Sequence, residues 1–586
     1  MTIVNGGELA AAALRTNDVD VVFALHGGHL DSLLFGLLDE KIRIVDVRHE
    51  AAAVHAADGY ARSTGRLGVS VVTSGPGVTN AVTGVAVAEV DSSPQLVIAG
   101  APPLRDEGRY VLQGGVDQVA LMTPITKAAL RVSDVDRIPE FVDRAVRIAT
   151  RGRPGPVFLE IPVDVMFDRI AADRVPVFPG VRRPESGAPT AAQAAEIAEA
   201  LERAARPVVL AGHGLLFDAA DAAVARLAEQ FSVPVYGNSR ARGVLPYDHP
   251  LNCGNVAGLG GVGAQPDLVL VLGARTSQMT VGRRGAGVLG PDTRIIQVDA
   301  NPEEAGRNVP VDVAFTGSIR AVAEAVCETG RTVPADRRGD WVARTKKTLY
   351  SLAPFEAEAT EHEATRGDRG IHPYWFGRAV ADNVAEDAII VGDGSEAYHW
   401  VEPIARTAAL GRWQGHGYFG CLGIGSPFAI GAQVAHPGVQ VVQVVGDGSV
   451  GFNVQEFDTM VRHGLPVVTF VNSNCAWGIS AHSQDALAGR RVVSDLPLTN
   501  FHEVMRAFGG YGELVTETAE LGPAFRRAVE SGLPACLNVV TDPEVVSPRV
   551  RLTNAAMATS VGLRPEDRDA PEGRPIAVPY YEPLER

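Results

Sequence analysis

One stretch, Gln443 to Ser480 (QVVGDGSVGFNVQEFDTMVRHGLPVVTFVNSNCAWGIS), limits what this chain can fold into more than any other. An apolar run from Val439 to Val445 reads as a buried strand ending at Gly446-Asp447-Gly448. Val454, Phe457, Met460 and Val461 follow at helical spacing, and a second buried strand, Pro466 to Val471, ends at Asn472-Ser473-Asn474. Parallel strands joined by a crossover helix leave both strand ends on one edge of a sheet. Asp447 and Asn474, twenty-seven positions apart, thereby become neighbours. One carboxylate, one amide oxygen and a loop carbonyl make a hard-oxygen site suited to Mg2+ holding a diphosphate, and the glycines let the backbone approach the phosphates. The chain carries its own control in Gly392-Asp393-Gly394: twenty-seven positions after Asp393 stands Gly420, which offers no side-chain ligand. That second tripeptide is expected to be a structural turn.

The same alternation of strand and helix recurs along the chain and predicts an α/β protein of doubly wound parallel sheets. At 586 residues the chain exceeds one core, and three domains are expected. The first spans residues 1–170, with strands at 19–25, 42–47, 68–73 and 95–99; residues 171–190, rich in Pro and Arg, read as a linker. A second domain covers 191–335, a charged linker 336–370, and a third domain 371–545. Residues 546–586 form a polar, Pro-rich tail in which Ile576, Val578, Tyr580 and Tyr581 are expected to dock on the body. The shared rhythm of the first and third domains suggests two related units.

A formal charge of −16 argues against a nucleic-acid or anionic-membrane partner. Five scattered cysteines without a CxxC pair fit a reducing compartment. With no basic leader and no run of about 18 apolar residues, a soluble cytoplasmic protein acting on a small molecule is expected.

Two independent segments carry a family resemblance. Gly446-Asp447-Gly448 with Asn474 resembles the diphosphate-binding motif of thiamine diphosphate enzymes, and Arg48-His49-Glu50 followed by AAAVHAADGYAR resembles the segment whose glutamate activates the thiamine ring. Residues 1–545 are similar in order and spacing to the acetolactate synthase and benzaldehyde lyase superfamily. The similarity is closest to benzaldehyde lyase, through NGGELAAAAL, LHGGHLDSLL, LQGGVDQVALMTPITK, HGYFGCLGIG and GDGSVGFNVQEFDTMVR. The resemblance implies pyrimidine-binding, central and diphosphate-binding domains in that order. It also implies a homotetramer, a dimer of dimers, whose active sites are shared between the first domain of one chain and the third of its partner.

In that family Glu50 would bond N1′ of the aminopyrimidine, and Asp447, Asn474 and the Ala476 carbonyl would hold Mg2+. Gly420 would accept the 4′-amino hydrogen through its carbonyl, and Leu422 would bend the cofactor. Gly446, Gly448, Ser449, Trp477 and Gly478 complete the implied cofactor contacts. His29, Gln113 and Tyr398 match catalytic polar groups, and Gly28, Val163, Ile479, Ser480 and Ser483 fall in the implied substrate pocket. Val163 and Ser483 stand where benzaldehyde lyase has bulky aromatics, which opens the substrate question.

The implied activity is a carbon–carbon lyase or carboligase acting on 2-hydroxy ketones through a C2 carbanion and an enamine. The tail resembles the C-terminal lid of actinobacterial 2-hydroxyacyl-CoA lyases, which makes that reaction the first alternative. Those enzymes use a glutamate where Ser480 stands, and a CoA substrate calls for cations such as Arg275, Arg283 and Arg284. An acetolactate synthase or 2-oxo acid decarboxylase, and a non-catalytic protein of this fold, are the remaining alternatives. Nothing in TSQMTVGRR compels FAD, and Gly212-His213-Gly214 is too short to argue for a dinucleotide.

Overall fold

The computed structural model describes residues 2–180, 187–277, 289–346, 353–551 and 554. Three six-stranded, all-parallel sheets carry the chain. The first is built of Val21–Ala24, Arg43–Asp46, Gly68–Val72, Gln95–Ala101, Ala128–Arg131 and Pro156–Pro162. The third is built of Ile389–Asp393, Trp413–Gln414, Val441–Gly446, Val468–Ser473, Tyr511–Val515 and Ala535–Val540. Numbered by place in the chain, the strands of both sheets lie in the order 2-1-3-4-6-5. The related rhythm of these two domains thus becomes identical topology. The central sheet, from Pro207–Ala211 to Val313–Thr316, runs 3-2-1-4-5-6, with the order reversing beside its first strand. Strand order alone assigns no ligand to it.

Central strands such as VVFA, QLVIAGA and PVFLEIP are buried at every position, as helices on both faces require. The helix Glu50–Thr64 is mostly Ala, Gly and Ser, and thirteen of its fifteen residues are buried. Its small side chains let the helix Gly425–Ala435 of the third domain cross it backbone to backbone. A Cβ added at Gly431 would lie 2.1 Å from the Ala56 carbonyl, and one at Gly59 2.5 Å from that of Phe428. Around this crossing the first and third domains share one apolar core, including Val45, Val54, Val85, Phe428, Val441 and Phe457. The central domain keeps a core of its own around Leu201, Leu227, Leu270 and Ile296.

Residues 336–370, expected as a linker, carry the helices Gly339–Lys346 and Ala353–Thr365. Charge composition misleads there, because two of the polar groups are structural. Arg338, 2% exposed, donates to the carbonyls of Leu201, Ala204 and Phe231, which end two helices, and Trp341 Nε1 donates to the Pro207 carbonyl at 2.8 Å. The preceding connection begins with Arg169–Ala171, paired antiparallel with Ile3–Asn5; residues 181–186 lie outside the described residues. In the tail Ser547 and Val550 are buried, while Ile576, Val578, Tyr580 and Tyr581 lie outside the described residues. No helix among the described residues is long and apolar enough to cross a membrane.

Because the Gly431 contact is with backbone, no side-chain rotation relieves it. Gly431→Ala is expected to lower the unfolding free energy by about 1–3 kcal/mol, measured by urea denaturation, with Gly438→Ala, where a Cβ meets open space, as the neutral control.

Candidate active site

The first sheet gathers one set of polar groups at the carboxyl ends of its strands. Glu50 opens its helix just after strand Arg43–Asp46, with His49 as the N-cap accepting the Ala51 N–H through Nδ1 at 3.2 Å. A negative side chain in this first turn is favoured by the helix dipole. Glu50 is 8% exposed, and its Oε2 accepts from Asn80 Nδ2 at 3.0 Å. Thr73 follows strand Gly68–Val72, separated from Arg43–Asp46 by Val21–Ala24, and links outward: its Oγ1 donates to Gln113 Oε1 at 3.3 Å, and Gln113 also bonds His29. Partial burial holds the His29 imidazole below the ordinary histidine range, the Gln113 hydrogen bond acting weakly in the opposite sense. Gln113 sits at φ +60, held by its carbonyl accepting from Ser74 Oγ at 2.8 Å. Beneath it Gln118 ties the edge together, accepting from Gly75 N at 2.6 Å and donating to Gly100 O at 3.1 Å and to Glu160 at 2.6 Å. Gly28 faces open space, and half-buried Val163 follows the strand that pairs with Gly100.

The third sheet gathers a second set. Strand Val441–Gly446 delivers Asp447, whose carboxylate accepts from Gly448 N at 2.9 Å and Cys475 N at 2.7 Å. The expected neighbourhood of Asp447 and the Asn474 loop is thereby present. Burial pushes the Asp447 carboxyl up to about 6, against backbone N–H groups that favour its ionised form. No lysine, arginine or histidine among the described residues pairs with it, and no cluster of three His, Cys, Asp or Glu there could hold a metal. A buried carboxylate without a cation partner, against the backbone of the loop that carries Asn474, Cys475 and Ala476, is a donor set of the hard-oxygen kind. Trp477 packs its ring over Gly448, where a Cβ would lie 2.5 Å from it. The loop carrying Gly420 and Leu422 runs alongside: Asn453 Nδ2 donates to Gly423 O at 2.6 Å, and Gly420 meets open space.

The second tripeptide is a turn, as its spacing implied, and its place was not foreseen. Asp393 Oδ2 accepts from Gly425 N at 2.9 Å, at the start of the crossing helix. Gly394, however, abuts the turn that follows Asp447, since a Cβ there would lie 2.7 Å from Ser449 Oγ. Glu396, also unforeseen, is buried behind Gly478; it accepts from Ser547 N at 2.7 Å and Ser547 Oγ at 3.0 Å, with His482 Nδ1 3.4 Å away. Ser483 Oγ donates to Asn554 Oδ1 at 3.1 Å, so the start of the tail is fastened to the helix Gly478–Ala488. Ile479 on that helix is half-buried and Ser480 exposed.

Tyr398 stands apart from both sets. Its phenol donates to Glu402 Oε1 at 3.2 Å and accepts from Trp413 Nε1 at 3.4 Å, and burial followed by the Glu402 charge raises its pKa. Glu402 also accepts from Asn255 of the central domain at 3.3 Å. The hydroxyl thus serves a contact between domains in this chain. Arg275 lines a cavity described below; Arg283 and Arg284 lie outside the described residues.

With this geometry in view, three domain families match in sequence order. They are the thiamine pyrophosphate enzyme N-terminal TPP-binding domain over residues 4–121, the central domain over 194–326 and the C-terminal TPP-binding domain over 390–539. The chain belongs to the thiamine pyrophosphate enzyme family. It is 36% identical over 559 residues to the acetolactate synthase large subunit IlvG of Mycobacterium tuberculosis, covering 93% of this chain and 97% of that one. It is 31% identical to a probable acetolactate synthase large subunit of Methanocaldococcus jannaschii over 94% of this chain and 95% of that one. The 2-hydroxyacyl-CoA lyase 2 of Homo sapiens is 31% identical over 89% of this chain and 86% of its own. The protein is therefore a thiamine diphosphate-dependent enzyme of the group that holds acetolactate synthases and 2-hydroxyacyl-CoA lyases.

One further carboxylate supports the site from behind. Glu456, 0% exposed, accepts the Arg48 N–H through Oε1 at 3.2 Å and Oε2 at 3.3 Å, two residues before Glu50. Arg462 and His463 hold Asp46 of the same strand end at 2.5 Å and 2.9 Å. The only sequence signal was an acidic residue starting a helix. Burial pushes the Glu456 carboxyl up to about 7, against the Thr459 hydroxyl, the Arg48 N–H and Arg462. Between the unfolded value of 4.5 and about 7 the folded protein keeps a proton that the unfolded chain releases. Stability from this group is therefore present at acid pH and lost as pH rises through that window. Urea unfolding at pH 5 and pH 8 is expected to show wild type losing about 1–3 kcal/mol more than Glu456→Gln over the same interval.

Proposed function

We propose that the protein is a thiamine diphosphate- and Mg2+-dependent carbon–carbon lyase or carboligase acting on 2-hydroxy carbonyl compounds, with acyloins as the first substrate class. The observation that carries this reading is the line Glu50, Thr73, Gln113, His29 along one sheet edge, facing open space at Gly28. Asp447, Asn474 and the Ala476 carbonyl would hold Mg2+ and the diphosphate, while Glu50, Gly420 and Leu422 would meet the aminopyrimidine half. Thiamine diphosphate supplies, when bound, a C2 carbanion and a sink for the electrons of the bond that breaks.

This chain's own residues then do three things. Glu50 holds a proton at N1′. His29, neutral near pH 7, takes the proton of the substrate hydroxyl, and Gln113 fixes the ring's orientation. Val163 and Ile479 line an apolar wall for the substrate's side chain. None of Gly28, His29, Gln113, Val163, Ile479, Ser480 and Ser483 is cationic, which weighs against a free carboxylate on the substrate, as in pyruvate.

A second copy completes the site in this reading. Among the described residues no hydrogen bond joins the Glu50 set to the Asp447 set within one chain. The loop bearing Gln113 exposes Tyr110 at 92% and Leu112 at 85%, an apolar surface suited to burial against a partner. A dimer of dimers with shared active sites is proposed on that ground.

The CoA thioester form of the substrate, as in 2-hydroxyacyl-CoA lyases, is the second reading, and one observation favours it. A cavity of about 440 Å3 lies between all three domains, lined by Arg153, Arg275 and Arg307 against Glu89 and Glu304, with Tyr418 of the Gly420 loop in its wall. Three guanidiniums against two carboxylates suit a phosphate-bearing ligand.

Assays with benzoin or acetoin, a short 2-hydroxyacyl-CoA, and pyruvate separate the readings by release of aldehyde, formyl-CoA or CO2. Aldehyde from an acyloin is expected, and its absence from every acyloin tested sinks the first reading. Glu50→Gln is expected to lose about 10²–10⁴-fold in turnover while still binding the cofactor. Since His29 must be neutral to act, the acid limb of kcat/KM is expected below 6.5, the ordinary histidine value, and to be absent from the residual activity of His29→Ala. Loading with thiamine diphosphate and Mg2+ is expected to weaken as pH falls through about 6, where Asp447 takes up its proton, readable by fluorescence titration.

A further inference from the structure

The loop that bears Gly420 and Leu422 is tied at its entrance to a buried group of four charges. Asp58 is 0%, Asp91 0%, Arg62 2% and Arg240 8% exposed, so two carboxylates face two guanidiniums out of water. Arg62 grips Asp58 in two bonds, Nε to Oδ1 and one terminal nitrogen to Oδ2, both at 2.7 Å, and reaches Asp91 Oδ2 at 3.0 Å. Arg240 of the central domain stands 3.2 Å from Asp91 Oδ1 and donates to the Asp91 carbonyl at 2.8 Å. The third domain closes the group: Tyr418 N donates to Asp91 Oδ1 at 3.1 Å, and Arg62 reaches the Gly415 carbonyl at 3.4 Å. Gly417, at φ +63, presses so closely that a Cβ would lie 1.8 Å from Asp91 Oδ2; only glycine fits there.

Stability alone does not account for such a group, because well-packed apolar residues of the same volume serve a core at least as well. What charged hydrogen bonds add is direction. The Arg62 guanidinium lies over the Phe428 ring, 4.7 Å from its centroid, while the hydrogen bonds that the group's side chains make with the third domain fall on Gly415 and Tyr418. Beyond them the chain is free at Gly420 and is caught again at Gly423 by Asn453 and at Gly425 by Asp393. The span between the two anchorages is the span assigned to the aminopyrimidine half of the cofactor. The diphosphate half, at Asp447 and Asn474, has no bond to the charged group among the described residues.

We propose that Asp91, held between Arg62 and Arg240, is the positioning residue for the loop from Gly415 to Leu422, setting where the Gly420 carbonyl and the Leu422 side chain meet the ring half of the cofactor. The inference rests on the thiamine reading above. It assigns to a residue in the first domain, remote from every contact expected with the cofactor, control of one half of the binding site and not the other.

The test compares two probes on the full-length protein with Mg2+: thiamine diphosphate and inorganic pyrophosphate, each titrated by tryptophan fluorescence, to which Trp477 beside Gly448 contributes. Asp91→Asn is expected to weaken thiamine diphosphate roughly tenfold or more while leaving pyrophosphate affinity unchanged. Should that variant fail to fold, Asp91→Ala/Arg240→Met, which removes one charge of each sign, carries the same comparison. Equal weakening of both probes, or no change in either, overturns the inference, since a merely structural role does not separate the halves. If wild type binds pyrophosphate and no thiamine diphosphate, the thiamine reading itself falls, and this inference with it.

Discussion

Two helices touch backbone to backbone where Gly431 meets Ala56 and Gly59 meets Phe428, and most of the site is placed by that contact. The helix Glu50–Thr64 serves different ends along its length. Its first residue is Glu50, the buried carboxylate at the edge of the first sheet. Its middle is the crossing point that welds the first domain to the third. Its last turn carries Arg62 into the charged group behind the Gly420 loop. Because both faces are covered, its side chains must be small, and the run AAAVHAADGYARST is the sequence consequence. The same packing keeps strand ends Asp46 and Gly446 in fixed relation, with Glu456 and Arg462 bridging from one domain to the other.

The two Gly-Asp-Gly turns show how identical tripeptides are assigned different work. Both end parallel strands of one sheet, and those strands are hydrogen-bonded neighbours. Asp393 spends its carboxylate on the first N–H of a helix, whereas Asp447 accepts two loop N–H groups and is left without a cation. Burial raises both carboxyls to about 6. What distinguishes them is the chain that follows: a crossover helix and a strand return an asparagine to Asp447, and only a glycine loop comes back toward Asp393. The decoy nonetheless helps to build the site, since Gly394 packs on Ser449.

Much of this was legible beforehand. Alternating apolar runs and helical spacings placed strands close to where they lie, and parallel pairing follows from helices between them. That Glu50, His29, Asp447 and Asn474 lie at strand ends was legible for the same reason, since strand ends are where an open parallel sheet gathers polar groups. Residues that act across domains left no comparable mark. Arg338 fell in a segment read as a charged linker, and nothing local in the sequence sets Asp91 or Glu456 apart. Tyr398 bonds Glu402, four positions on, and what no local pattern records is that Glu402 also meets Asn255 of the central domain.

By itself the sequence determined three parallel α/β domains, the frame that brings Asp447 to Asn474, and the glutamate that opens the first domain's key helix. These follow from local periodicity and from the topology that short connections allow. Tertiary structure alone decided that the first and third sheets share one strand order, that their helices meet through two glycines, and that four buried charges join three domains behind one loop. Each of these rests on a contact between residues hundreds of positions apart, and no local pattern records which distant backbone a glycine must admit or which distant carboxylate an arginine must find.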